Sequence, residues 1–427
     1  MAWNHNEELV RTLKFKLDPK DKESLDHLRE EFRNCYNQYL QLTKELETTD
    51  RRTLEQQEIE TELVENTRQR ALETAAKAVE NYFELRDIQE NASYPRQKDT
   101  PMTATLNHRD GYTIENPDTV KISTVPYNRV KASITGRRED EIFLEKALNG
   151  QYKFGTGEVL KKNGDYYIHI NVRTEQVPEI QVEEDNTFIG VDINGSNVML
   201  TATREDGEVL DTLYLDYNKL KGKRNEYFTK RKRLKEAGKW STLEKLSGKE
   251  EKATNDFCHK LSRYAVRWIQ QFENPVVVLE DLTGLRDSID YGKRMNKRLH
   301  SLPFRKLQQF LKYKSEWSGV PVSFVDPAYT SQRCPLCADS EDTTRRGHRF
   351  KCQSCGHQDH ADRNASINIA LRAATTYRKS HSTVVPSPKN FPSFEKVRLT
   401  AAGLCEQADP SPRTPLEVLM PRGSGRA

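Results

Sequence analysis

The sequence lacks a long hydrophobic run. No segment of its 427 residues approaches the roughly eighteen consecutive apolar residues of a membrane span, so we expect no transmembrane helix. Its first residues, MAWNHNEELVRTLKFKL, lack the apolar segment of a secretory signal. Hydrophobic residues make up 35% of the chain and charged residues 31%, so the core per residue is small. The length allows about two to four domains.

Cysteine is scarce, and its placement argues against a disulfide framework. Four of the seven cysteines form two Cys-x-x-Cys pairs, whereas Cys35, Cys258 and Cys405 are scattered. Disulfides are typical of small secreted proteins, where cysteines are dense. The pattern instead favours a reducing compartment and a bound metal, and we expect a cytoplasmic protein.

A large excess of positive charge is also missing, because the net charge is only +4. Positive charge is nevertheless concentrated between Lys219 and Lys239, where ten basic residues face two acidic ones, with aromatic residues among them. A solvated helix face is the simple interpretation of such a block. We favour contact with nucleic-acid phosphates, because aromatic residues interleave the block and because it lies between two predicted strands. The residues expected to make these contacts include Lys230, Arg231, Lys232, Arg233 and Lys235.

The N-terminal part of the chain changes from strand to helix and back to strand. Residues 8–18 alternate as a strand does, and residues 21–46 and about 53–91 have the three-to-four spacing of helices. A surface helical hairpin is the simple interpretation of these helices, and a lobe that touches a nucleic-acid duplex is the alternative. Short strands follow from 120 to 172, with a hairpin turn at 162–165. We therefore predict a small β-barrel with a helical insertion.

From residue 188 the pattern indicates a mixed sheet. Three strands in succession form an antiparallel meander with an Asp206-Gly207 turn. Apolar runs at 276–279 and around 320–325 are typical of strands buried on both faces. Helices are predicted at about 219–239, 250–272, 303–319 and 364–375. After position 376 the chain carries seven of its eighteen prolines, and we predict disorder from 386 to 427.

The four paired cysteines have the spacing of a zinc ribbon, C-x2-C-x14-C-x2-C. Four thiolates complete a tetrahedron around one zinc ion and leave no open position, so this zinc is predicted to be structural. Arg345 and Arg346 lie between the pairs and are expected to contact phosphates. We expect His348 and His357 to lie on the surface or beside the zinc ligands. The predicted ligands are Cys334, Cys337, Cys352 and Cys355.

Three acidic residues stand in related positions. Asp192 and Glu280 follow apolar strands, and Asp362 begins a helix seven residues after the last paired cysteine. One such residue is usually a turn or cap, but three together fit hydrolysis by two metal ions about 4 Å apart. Hard oxygen ligands select Mg²⁺ or Mn²⁺. The order of elements is compatible with an RNase H-like sheet that carries the acids at one edge.

The segments GVDINGSNVMLTAT, VVVLEDLTGL and CPLC…CQSCGHQDHADRNASINIA together resemble the TnpB (OrfB) proteins of bacterial and archaeal insertion sequences, relatives of type V CRISPR effectors. The resemblance is strong from about 188 to 370, and before 185 it is one of layout only. It implies a RuvC-type nuclease whose catalytic and magnesium-binding residues are Asp192, Glu280 and Asp362. Whether Asp359 assists Asp362 is left open.

The resemblance implies an α+β multidomain protein. Residues 1–18 and 99–184 would form a β-barrel wedge domain, and 19–98 an inserted helical recognition lobe. Residues 185–331 and 360–385 would form a RuvC-like nuclease domain with an inserted zinc ribbon at 332–359.

The implied activity is RNA-guided cleavage of double-stranded DNA by a prokaryotic, nucleoid-associated protein. Its partners would be a guide RNA from the transposon end and the target DNA, and a monomer is favoured. Three alternatives remain: a non-cleaving RNA-guided repressor, an RNA-independent transposase or resolvase, and a small type V CRISPR effector.

Overall fold

A computed structural model describes residues 8–89, 92–180, 186–282, 304–377 and 395–398. The chain has an α+β fold, and its described residues divide into two compact units, one within 8–176 and the other within 177–398. Among the described helices, none has the length and apolar character needed to cross a bilayer.

An antiparallel sheet forms the core of the N-terminal unit. Its seven strands are β1 (Leu9–Pro19), β2 (Ala104–Leu106), β3 (Tyr112–Asn116), β4 (Thr119–Ser123), β5 (Arg129–Gly136), β6 (Lys153–Lys162) and β7 (Asp165–Thr174). They lie in the order β2-β6-β7-β1-β5-β4-β3. Asn163 and Gly164, with φ of 53° and 86°, form the two-residue turn between β6 and β7, which confirms the predicted hairpin.

The two ends of this sheet approach each other. The Tyr112 hydroxyl on β3 donates a 2.8 Å hydrogen bond to the carbonyl of Gly155 on β6. A Cβ on Gly157 would lie 2.9 Å from the Tyr112 ring, so only glycine allows this contact. The sheet therefore curls strongly, as the predicted barrel requires.

Four helices accompany the sheet: α1 (Lys22–Glu45), α2 (Arg51–Glu55), α3 (Glu65–Ile88) and α4 (Arg138–Leu148). Asp21 caps α1 by accepting a hydrogen bond from the Ser24 amide, which confirms the predicted helix start. The prediction of one helix over 53–91 is wrong, because non-helical residues separate α2 from α3. The Gln38 side chain holds that segment by bonding both the amide and the carbonyl of Glu60.

A second sheet organises the C-terminal unit. Its strands are β8 (Thr187–Ile193), β9 (Asn197–Arg204), β10 (Val209–Asp216), β11 (Pro275–Glu280), β12 (Val322–Val325) and β16 (Glu395–Arg398), and a separate small sheet holds β13 (Thr343–Arg346), β14 (Arg349–Cys352) and β15 (Gln358–His360). The larger sheet has the order β12-β11-β8-β9-β10-β16. The predicted meander is confirmed as β8, β9 and β10, which pair antiparallel. Strand β11 pairs parallel with β8 and β12.

Strand β16 contradicts part of the predicted disorder after 386. It pairs parallel with β10 over four residues, with Leu213 opposite Glu395. The backbone hydrogen bonds of an edge strand attract such a segment despite the proline-rich composition around it. The rest of that predicted tail lies outside the described residues.

Helices cover both faces of the larger sheet. They are α5 (Asn218–Glu236), α6 (Trp240–Ile269), α7 (Phe304–Trp317) and α8 (Ala361–Tyr377). On one face, Val191 and Leu279 belong to a core shared with α6 and α7. On the other face, Phe188 and Val278 pack with Ile369 of α8. Since side chains alternate along a strand, even-numbered positions of β8 and β11 face α8.

Helix α8 lies directly on β8 at Gly190. A Cβ at Gly190 would stand 1.9 Å from the Ser366 carbonyl oxygen and 2.7 Å from the Ala370 amide nitrogen. Both atoms belong to the helix backbone, which cannot move aside as a flexible side chain does. A hydrogen bond between the Thr201 and Ser366 hydroxyls secures the contact. This contact sets the height of α8 above the strand.

Replacement of Gly190 by alanine is therefore expected to destabilise the protein. The methyl group must push α8 off the sheet, and overpacking of this kind costs about 1–3 kcal/mol. Urea unfolding of the full chain measures the loss. Gly222→Ala is the matched control, because a Cβ at Gly222 in α5 meets nothing within 4 Å. Equal unfolding midpoints for Gly190→Ala and the parent protein would contradict the tight contact between α8 and β8.

Candidate metal centre and active site

Two of the predicted acidic residues lie side by side at the ends of parallel strands. Val278 of β11 is level with Gly190 of β8. Two residues further along each strand, the same register brings Glu280 level with Asp192. Both residues occupy even-numbered positions, so both lie on the face covered by α8.

The third acid, Asp362, lies in the first turn of α8 and is 2% exposed. Its charge and that of Glu280 both act on Asp192. Burial, followed by these two charges, raises the pKa of Asp192 to about 8, although Asn194 donates a 2.7 Å hydrogen bond to its Oδ2. The structure thus gathers the three acids at one edge of the sheet. Such a crowded anionic site favours the binding of cations.

Hydrogen bonds orient Glu280. The Thr330 hydroxyl donates to its Oε1 at 2.6 Å, and the Gln308 side chain donates to its carbonyl at 3.0 Å. Burial raises the pKa of Glu280 even though the Thr330 bond opposes the shift. Sequence reasoning missed Thr330, because it stands in a loop with no motif of its own.

Two asparagines of α8 hold the segment that leads into the cysteine region. Asn364 and Asn368 both donate to the Arg333 carbonyl, at 2.9 and 2.7 Å, and Asn368 also donates to the Thr330 carbonyl at 2.8 Å. Positions four apart lie on one helix face, which allows both amides to reach the same segment. Sequence reasoning assigned them only to an amphipathic helix, although two asparagines at this spacing are a detectable signal.

The four predicted zinc ligands converge. Their sulfur atoms all lie within 4.8 Å of one another, with Cys334 to Cys355 and Cys337 to Cys352 both at 3.6 Å. A tetrahedral zinc site with bonds of about 2.3 Å separates its sulfurs by about 3.8 Å. Ala338 and Gly356, each directly after a Cys-x-x-Cys pair, have φ of 62° and 77°. The donor set and its spacing therefore fit zinc.

The cysteine region is a small antiparallel sheet with a minimal core. Strands β13, β14 and β15 pair in that order, and Phe350 packs with Cys334, Cys352 and Ala361. A core of this size is too small to fold alone, so metal binding would supply most of its stability. Ala361 is also the first residue of α8, which joins this core directly to the helix carrying Asp362.

The cysteine region also reaches the acidic site. Arg345 donates a 2.9 Å hydrogen bond from Nη2 to Asp362 Oδ1, so in this structure it pairs with an acid. Arg346 is exposed. His348 lies on the surface, as predicted, and its Nδ1 is 3.7 Å from Asp362 Oδ2. Asp359 forms an ion pair with Arg363 at 2.6 Å.

The basic residues predicted to bind nucleic acid lie along α5. Arg231 pairs with Glu250 at 3.2 Å, and Lys232 lies 3.8 Å from Glu236. Three further residues of the block are exposed: Lys230, Arg233 and Lys235. Their contact with phosphates stays a prediction.

We expect Asp192→Asn to stabilise the protein at pH 8 in buffer without added magnesium or manganese. The folded carboxyl keeps its proton up to about pH 8, whereas the unfolded one releases it near pH 4. Between these values the folded state binds more protons, so stability falls as pH rises. Asparagine removes this penalty, which is on the order of 1–5 kcal/mol at pH 8.

Urea unfolding at pH 4.5 and pH 8 provides the measurement. The variant's advantage should be large at pH 8 and several-fold smaller at pH 4.5, where the unfolded carboxyl is itself partly protonated. Glu205→Gln, in the turn at the opposite end of the strands, should have no effect at either pH. An equal advantage of Asp192→Asn at both pH values would contradict a raised carboxyl pKa as the cause.

Cys352→Ser is expected to lose zinc. Three remaining thiolates cannot close the tetrahedron, so the metal content should fall from one zinc per chain to below about 0.2. Mass spectrometry of metal in the purified full chain measures this. Ser354→Ala, which lies between Cys352 and Cys355, should keep its zinc. Stoichiometric zinc in Cys352→Ser would show that this cysteine is not a ligand.

Comparison with known proteins places the chain in a family. Residues 304–369 match the family model for the Cas12f1-like TNB domain. The chain is 30% identical over 263 residues to a TnpB-like protein of Methanocaldococcus jannaschii, an alignment that covers 59% of this chain and 90% of the relative. It is 25% identical over 299 residues to the CRISPR-associated endodeoxyribonuclease Cas12f1 of Sulfoacidibacillus thermotolerans, covering 66% and 67% of the two chains.

The fold is similar to that of a solved structure. The cryo-EM structure of a Cas12f1–sgRNA–target DNA complex matches with a TM-score of 0.55 and 12% identity, covering 85% of this chain and 99% of that one. At this identity the match shows the fold alone. The family assignment rests on the sequence match to the Methanocaldococcus relative and agrees with the resemblance of the motifs. The chain belongs to the TnpB family, which is related to the type V CRISPR effectors.

Proposed function

We propose that this protein is an RNA-guided DNA endonuclease encoded by a transposable element. The observation that carries the proposal is the meeting of Asp192, Glu280 and Asp362 at one edge of the sheet, where burial and mutual repulsion raise the pKa of Asp192. The relatives add support, because one is named an endodeoxyribonuclease and the matched structure contains sgRNA and target DNA.

The larger sheet is proposed to be an RNase H-like sheet of the RuvC type. Three antiparallel strands are followed by two parallel ones, and helices cover both faces. The acids stand at the carboxyl ends of β8 and β11 and in the first turn of α8. The other domain assignments follow the same proposal: the curled sheet as the wedge domain, α1–α3 as the recognition lobe and 332–359 as the zinc ribbon.

Asp192, Glu280 and Asp362 would hold two Mg²⁺ or Mn²⁺ ions. Their donors are carboxylate oxygens, which these hard cations prefer. When bound, the ions would activate the attacking water and stabilise the leaving oxygen. Asn194 and Thr330 orient the carboxylates of Asp192 and Glu280 through hydrogen bonds of 2.7 and 2.6 Å. These two hydrogen bonds would hold the carboxylate oxygens in position before a metal ion binds.

Nucleic acid would be bound through its backbone. An RNA–DNA heteroduplex is A-form, and proteins grip it mainly by phosphate contacts, for which exposed lysine and arginine suffice. Helix α5 presents Lys230, Arg233 and Lys235 to solvent. Guide RNA would supply the sequence specificity, and the protein would supply the cleavage site.

Asp192→Ala is expected to abolish DNA cleavage while guide RNA still copurifies. Loss of a shared metal ligand removes several kcal/mol of transition-state stabilisation, so the rate should fall at least about 100-fold. Cleavage of a matched DNA target by the protein purified with its native RNA measures this rate.

Glu205→Ala is the control, since this acid stands at the far end of the same strands and should leave cleavage unchanged. Sequencing the copurified RNA tests guide binding independently of cleavage. Undiminished cutting by Asp192→Ala would reject the assignment of the nuclease site. Undiminished cutting by RNA-free parent protein would reject the RNA-guided part.

A further inference from the structure

We propose that His348, His360 and Asp362 form a second kind of metal site, one that binds a divalent transition metal through two imidazole nitrogens and a carboxylate oxygen. The zinc ribbon would then contribute a ligand to the acidic site in addition to fixing the start of α8. This site shares Asp362 with the proposed nuclease centre, but it is defined by metal binding and does not depend on cleavage.

The three donor groups converge on one oxygen atom. Nδ1 of His348 lies 3.7 Å and Nδ1 of His360 lies 4.0 Å from Oδ2 of Asp362. A donor atom from each of the three residues lies within 4.8 Å of the others. The two imidazole rings stack, with centroids 5.1 Å apart and planes 23° from parallel. Two histidines and one acid thus share a space of the size that a metal ion occupies.

Oδ2 of Asp362 lacks a hydrogen-bond partner within the described residues. The side chain is 3% exposed, and its other oxygen, Oδ1, takes the hydrogen bond from Arg345. A buried carboxylate oxygen left without a partner is costly, and neither imidazole is near enough to donate to it. A cation between the three donors would satisfy this oxygen.

The hairpin between β13 and β14 brings His348 to the site. Gly347 and His348 form a two-residue turn between the paired residues Arg346 and Arg349, and Gly347 has φ of 59°. Glycine at the first turn position fits a type II′ hairpin. The Ala361 amide donates to the His348 carbonyl at 2.8 Å, which ties the turn to the start of α8.

A metal ion would replace a long hydrogen bond at His360. The Asp362 amide donates to Nδ1 of His360 at 3.3 Å, and an ion bound at this nitrogen would take the place of that contact. The His348 side chain is 67% exposed, and it can move the last ångström toward an ion. Donor atoms that each bind one ion at about 2.1 Å lie about 3.0–3.4 Å apart. The present nitrogen–oxygen distances of 3.7 and 4.0 Å would therefore have to shorten by less than about 1 Å.

The donor set determines which metals fit. Imidazole nitrogen suits Zn²⁺, Cu²⁺, Ni²⁺ and Fe²⁺, and Mn²⁺ accepts it more readily than Mg²⁺, which prefers an all-oxygen shell. A site with three protein donors leaves further positions open for water or for a phosphate oxygen. The expected ligand is therefore a transition metal, with Mn²⁺ as a suitable probe because it does not compete well for the four thiolates.

The test uses the zinc-loaded full chain titrated with Mn²⁺ and examined by electron spin-echo spectroscopy. Imidazole bound to Mn²⁺ gives a ¹⁴N coupling that a site built from Asp192, Glu280 and Asp362 alone cannot give. We expect this coupling in the parent protein, with Mn²⁺ remaining bound in excess Mg²⁺. His348→Asn, which keeps the hairpin turn polar, should weaken Mn²⁺ binding at this site at least about tenfold.

Further variants separate this inference from the proposed function. His348→Asn combined with His360→Ala should abolish the coupling, whereas His27→Ala, an exposed histidine on α1, should not change it. Asp192→Asn should keep the coupling while it loses cleavage. Parent protein that binds Mn²⁺ without ¹⁴N coupling would overturn the metal site, even if it cuts DNA. Coupling in a protein that never cuts DNA would support the metal site and count against the nuclease.

Discussion

Repulsion within a cluster of three carboxylates is the constraint on which the C-terminal unit depends. The charges of Glu280 and Asp362 both act on Asp192, and burial disfavours the charged forms of Asp192 and Glu280. Left to itself, such a cluster would separate or take up protons. The cluster persists because two of its acids are fixed by the sheet and the third by α8. Burial of the apolar cores on both faces of the sheet stabilises this arrangement.

Each acid is held by a different kind of structure. Asp192 and Glu280 are set by the register of two parallel strands, which is rigid because both faces of the sheet are buried. Asp362 is set by a helix whose backbone rests on a strand, where Gly190 leaves no room for adjustment. The cysteine region completes the arrangement, since its core includes the first residue of that helix. The cysteine cluster and the acidic site are therefore joined through the same helix, α8.

Much of this arrangement was predictable from local patterns. Periodicity predicts the meander and the buried strands, and spacing identifies the paired cysteines and the three acids. The structure brings the acids together, as the order of elements indicates. The break between α2 and α3 was missed because the bonds of Gln38 to Glu60 act across the fold. Thr330 and His348 were missed for the same reason, because each lies in a loop or turn whose contacts with the acids are made only in the folded chain. Contacts of this kind carry no periodic signal.

The short strand β16 has a consequence for how copies of the protein behave toward one another. Without it, β10 would be the edge of the larger sheet, with a row of free amide and carbonyl groups. Such an edge is a template for a strand from another molecule. Four residues from far along the chain fill that position with an internal strand. A segment whose composition indicates no structure thus acts as a barrier to association through β10.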